Sequence, residues 1–160
     1  MVLGMDWFTL THVLIGIGTG LVLLFALMGG RNPGNWAARF LIFTALTSVT
    51  GFVFHNDHLT PAQITGTLSL IALVLAIYAL YGRGLAGVWR ETYVVSATVA
   101  LYLNVFVLVV QSFQKIPPLH AIAPGIPPSG PIFLVVQLVV LAAFIVPGWI
   151  AWRRFKPLKF

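Results

Sequence analysis

The chain has no cysteine, only three acidic residues, and charged side chains at 8% of its 160 positions. Each scarcity closes a class of function. Without cysteine there is no thiol–disulfide exchange, no structural disulfide, no thiolate-held iron–sulfur cluster and no covalent c-type haem. With only Asp6, Asp57 and Glu91 as acids, paired-carboxylate chemistry and a Ser-His-Asp set have little material to work with. Only Asp6 and Asp57 stand where they could share a site with a histidine, and no G-x-S-x-G nucleophile motif is present. Soluble domains carry about 25% charged residues. At 59% hydrophobic residues and a mean hydropathy of +1.00, this composition is that of an integral membrane protein, read as one membrane domain.

Five apolar segments are long enough to cross about 30 Å of hydrocarbon at about 1.5 Å per residue. They run over 8–28, 36–54, 62–81, 92–113 and 131–152. The expected fold is therefore an all-α bundle of five transmembrane helices. The second is the weakest, because Arg39 must snorkel for it to reach full length. No Lys or Arg precedes the first segment, so a cleavable signal peptide is not expected and that span is retained.

The net charge of +6 would raise nucleic-acid binding in a soluble protein, but here the cations flank apolar runs and form no continuous patch. They sort by side instead. Five spans put Arg31, Arg39, Arg83, Arg90, Arg153, Arg154, Lys156 and Lys159 on one face and Lys115 on the other. Positive loops stay cytoplasmic, so the N-terminus is expected outside and the C-terminus inside. Four spans would spoil this separation. Tyr78, Tyr81, Trp89, Tyr93, Trp149 and Trp152 fall at the inner boundary, and Trp7, Phe8 and Phe113 at the outer.

This topology gathers His12, His55, His58 and His120, with Asp6 and Asp57, at the outer face. His12, Gly16 and Gly20 share one face of the first span, and Thr44, Thr47, Ser48 and Gly51 lead to His55 on the second. Thr60-Pro61-Ala62-Gln63 has the form of an N-cap, a proline at the first helical position and a capping-box glutamine. Imidazoles suit zinc, copper and haem iron. Two ligand readings follow: a zinc or copper site from His55, His58 and His12 or His120 with Asp57 beside them, or haem b between His12 and His55. Against both stands the plainer reading, in which interfacial histidines bond to loop carbonyls. Gln63, Asn104, Gln111 and Gln137 are the polar residues expected to line an outward pocket. The proline-rich connection 114–130 is expected to be extended and stiff, lying over the outer mouth or docking a partner.

No span carries a charged residue at its middle, which argues against ion-driven transport, and none carries a lysine for a retinal Schiff base. A passive pore or small-solute pocket, or a quinone site without a specific signature, stays open. So does a non-catalytic role as an accessory or packing subunit, or as a homo-oligomer.

The run Ala100-Leu101-Tyr102-Leu103-Asn104-Val105-Phe106-Val107-Leu108 with Gln111, followed by Phe113-Gln114-Lys115-Ile116-Pro117-Pro118-Leu119-His120-Ala121, resembles a family of small uncharacterised bacterial integral membrane proteins. The likeness extends from the second span to the fifth. It implies the bacterial cytoplasmic membrane, and it implies no activity, cofactor or catalytic residue.

Overall fold

A chain so apolar has one economical backbone solution in hydrocarbon, the α-helix, because it satisfies every N–H and C=O within the segment. A computed structural model of the protein describes residues 7–31, 34–51 and 61–156. Among them the order is α1 (Trp7–Met28), α2 (Asn35–Gly51), α3 (Pro61–Ile77) closed by a π-helical turn (Tyr78–Gly82), α4 (Val88–Lys115), a short α5 (Pro117–Ile122) and α6 (Pro131–Arg154). No strand occurs among the described residues. Three helical stretches are long and apolar enough to cross a bilayer: Gln63–Gly82, Val88–Lys115 and Pro131–Arg154. In α1 the described apolar stretch, Leu14–Met28, is shorter. Large apolar side chains also cover the exterior, including Phe25, Val74, Val139 and Val146. Hydrocarbon, not water, is the solvent such a surface fits.

Side-chain pairings set the helix directions. Gly20 of α1 lies against Phe40 of α2 and Leu101 of α4, and Gly16 against Thr47 and Asn104, so α1 runs antiparallel to both. Phe113 stacks on Phe133, Tyr102 on Phe144, and Thr98 meets Gly148, so α4 and α6 are antiparallel as well. The tight connection from Tyr78 to Trp89, whose rings meet edge to face, returns α3 into α4. The outcome is an up-and-down bundle of α1 to α4, with α6 lying in the seam between α1 and α4. Its core holds Leu23, Leu27, Phe40, Leu73, Tyr93, Val94 and Leu101.

This placement leaves α6 peripheral. Only 11% of its apolar window is buried, against 44% for α4. It also divides the molecule into two ends. One carries Arg31, Arg39, Arg83, Arg90, Arg153, Arg154 and Lys156; the other carries Lys115 and His120.

Two expectations about elements are corrected. Residues 114–130 are not extended throughout: α4 continues to Lys115, and Pro117–Ile122 is a helical turn and a half with both prolines at its start. A helix lends its first N–H groups no internal acceptor, so Pro117 and Pro118 sacrifice nothing there. The His120 N–H still bonds the Ile116 carbonyl at 2.9 Å. The fourth segment is also longer than 92–113, because Arg90, Glu91 and Lys115 end the apolar run without ending the helix. Helix α6 continues through Pro147. Pro61 opens α3 as expected, whereas Thr60 lies outside the described residues.

Candidate functional site

The amides singled out from the sequence divide into satisfied and orphaned. In α4, Asn104 Nδ2 donates to Thr44 Oγ1 of α2 at 3.2 Å, and both side chains are buried. Gly16 of α1 packs beside this bond: a Cβ there would stand 3.6 Å from Thr47 Oγ1 and 3.8 Å from Asn104 Nδ2, ordinary contact distances. The bond ties α2 to α4 in the interior. Most neighbouring hydroxyls are spent locally. Thr19 bonds the carbonyls of Ile15 and Gly16, Thr47 that of Phe43, and Ser96 that of Thr92. Such back-bonding lets a hydroxyl enter an apolar helix without a partner from another one.

Gln137 and Gln111 differ from Asn104. Gln137 is 8% exposed, and neither its Nε2 nor its Oε1 has a hydrogen-bond partner. Gln111 Oε1 and His120 Nδ1 are likewise buried and unpartnered. Gln137, Phe144 and Ala151 recur every seven residues and form the buried face of α6. Gln111 follows Asn104 at the same spacing on α4. The Gln137 amide and Gln111 Oε1 thus occupy the half of the molecule nearer His120. Gln63, the fourth expected pocket residue, is half-buried in the first turn of α3, and its carbonyl accepts from Thr67 Oγ1 at 3.0 Å.

Of the histidines, only His120 has a described side chain. His12 lies in the first two turns of α1 with its side chain outside the described set, and His55, His58, Asp57 and Asp6 lie outside the described residues. Among the described residues no group of three or more metal-binding side chains stands together.

The basic end is built differently. Arg90 donates through Nη1 to the carbonyls of Trp152 (3.1 Å) and Phe155 (2.7 Å), and through Nη2 to Glu91 Oε1 (3.0 Å). It caps the C-terminus of α6, where the last carbonyls have no internal donors. Composition placed Arg90 at this face; nothing in the sequence pairs it with α6, 62 residues away. Three other arginines lie on indole rings: Arg39 on Trp36 at 4.8 Å, Arg83 on Trp89 at 5.5 Å, and Arg153 on Trp149 at 4.7 Å and Trp152 at 5.8 Å.

Two apolar grooves open sideways from the bundle. One, of about 280 Å³, lies between α2 and α3 and is lined by Ala38, Leu41, Ile42, Ala45, Ile77 and Tyr81. The other, of about 160 Å³, lies between α4 and α6 around Thr98 and Gly148. Neither was foreseen from the sequence. Comparison of the chain with protein families, with curated proteins and with solved structures finds no match.

Proposed function

We propose that this is a five-span protein of the bacterial cytoplasmic membrane, N-terminus outside and basic end inside, acting as a non-catalytic accessory or packing subunit or as a homo-oligomer. The observation that carries the packing role is the outward face of α6. Val135, Val139, Ala142 and Val146 follow one another there at helical spacing, all exposed. Small and β-branched side chains make a flat face with little entropy to lose, which is what helix association in lipid rewards. The orphaned Gln137 amide and Gln111 Oε1 form the polar interior of the outward half.

Because the chain lacks cysteine, a single introduced thiol is unambiguous. Val139→Cys is expected to crosslink in membranes to a second copy or another polypeptide, while Val74→Cys on α3 stays unreacted. A protein that gives no adduct at Val139 and purifies as an isolated monomer without a partner is not a packing subunit. For topology, Ser129→Cys should react with an impermeant maleimide in intact cells and Lys156→Cys only after permeabilisation; the reverse order refutes the orientation.

A second reading is a zinc or copper site from His55, His58 and His12 or His120 with Asp57 beside them, or haem b between His12 and His55. The specific observation in its favour is the free, buried Nδ1 of His120. Elemental analysis after metal addition, and a Soret band after haem addition, decide it; absence of both ends that reading.

A further inference from the structure

We propose that the groove between α4 and α6 seats an anionic phospholipid, with one acyl chain along Val95, Val99, Tyr102 and Ile145 and the phosphate on the Arg153 guanidinium. This goes beyond the packing role, which uses Val135, Val139, Ala142 and Val146, none of which lines the groove.

The groove has a floor and a mouth. At the floor, Gly148 meets Thr98 so closely that a Cβ on the glycine would stand 2.9 Å from Thr98 Cγ2. The walls are apolar, and the volume of about 160 Å³ is open to the lipid side. It spans residues 95–102 of α4 and 141–148 of α6, about two helical turns. Towards the basic end, the stripe that holds Ile145 and Gly148 continues four residues on as Trp149 and Trp152. The Arg153 guanidinium lies over both rings. A cation is thus held one turn beyond the apolar slot, the spacing of a headgroup from its acyl chain. An arginine stacked through its face keeps its N–H edges for phosphate oxygens.

The nearest acid, Glu91 on the α4 side, is already answered by Arg90 at 3.0 Å. Arg153, Arg154 and Lys156 leave the mouth positive. That charge also selects the occupant. A phospholipid phosphate neutralises these cations, and the cytoplasmic leaflet is where anionic lipids meet basic residues.

The test uses the full chain in phosphatidylcholine vesicles containing a low fraction of brominated-acyl phosphatidylglycerol or, separately, brominated-acyl phosphatidylcholine, with tryptophan quenching as the readout. About fivefold preference for the anionic lipid is expected. The double variant Arg153→Gln/Arg154→Gln, altered only at exposed side chains, is expected to lose most of it. Val99→Phe, which fills the groove and keeps both arginines, is expected to lose it too. Equal quenching of the unaltered protein by the two lipids overturns the proposal, as does a preference undiminished in either variant. Efficient crosslinking of Ile145→Cys to a second copy also overturns it, by giving the groove to protein.

Discussion

The two ends of the bundle treat polar groups in opposite ways. At the basic end Arg90 bonds two carbonyls and a carboxylate, and Arg39, Arg83 and Arg153 rest on indoles, with the buried Tyr93 and Thr98 hydroxyls as exceptions in this half. Towards His120, the amide of Gln137, Gln111 Oε1 and His120 Nδ1 are buried without partners. Packing follows the same division. Along α1, Gly20 on the basic side admits no side chain, whereas four residues away Gly16 leaves room for a methyl. Also on the basic side, Gly30 ends α1 at φ 67°, and a Cβ there would lie 3.1 Å from the Arg154 carbonyl. The difference teaches where stability resides and where a ligand could still be accommodated. An orphaned buried amide costs the fold about 1–3 kcal/mol, and a chain that keeps one has either left it to water or kept it for something else.

The largest effect is expected at the tight side. Gly20→Leu drives atoms into Leu101 and Phe40 Cε2, the latter 2.8 Å from a Cβ alone, and should cost about 3 kcal/mol or more. Gly16→Ala should be neutral or stabilise by about 0.5 kcal/mol. Thermal unfolding in mild detergent compares the two, and equal losses would erase the distinction. Arg90→Ala strands the carbonyls of Trp152 and Phe155 near the interface and should cost about 2 kcal/mol, with fraying of α6 visible in hydrogen exchange of its last turn. An unchanged exchange rate there would mean that the clamp holds nothing.

At the other end the sign reverses. Gln137→Leu keeps the volume, removes two unsatisfied polar atoms and should raise stability by about 1 kcal/mol. Destabilisation instead would show that the amide has a partner in the membrane, and would sharpen the case for a ligand there. The smallest effect belongs to the satisfied pair. A double-mutant cycle of Asn104→Leu and Thr44→Val should return a coupling near 0.6 kcal/mol, the average for such bonds in membranes.

Much of this was legible in the chain. Helix type follows from apolar runs between Gly, Pro and Arg, since lipid leaves the backbone no other way to satisfy itself. Gly16 and Gly20 were readable as sharing one face, whereas the bond from Asn104 to Thr44 on another helix was not anticipated from the sequence. The proline-rich segment misled, because proline is disfavoured in the interior of a helix and free of cost at its start. Gln111 and Gln137 were readable as polar residues of a pocket, and whether a partner waits opposite depends on which helix arrives there. Arg90 had no legible partner at all, because helix order in a bundle is decided by packing.

Composition and the placement of charge thus determined by themselves the helical class, the membrane as solvent and the gathering of cations at one end. Those properties follow from the transfer of each segment between water and lipid, and each segment carries its own. Tertiary structure alone decided that α6 sits outside the α1–α4 bundle, that Arg90 closes its end, and that a groove opens between α4 and α6 above Arg153. These depend on how side chains distant in sequence interlock, and no single segment encodes that.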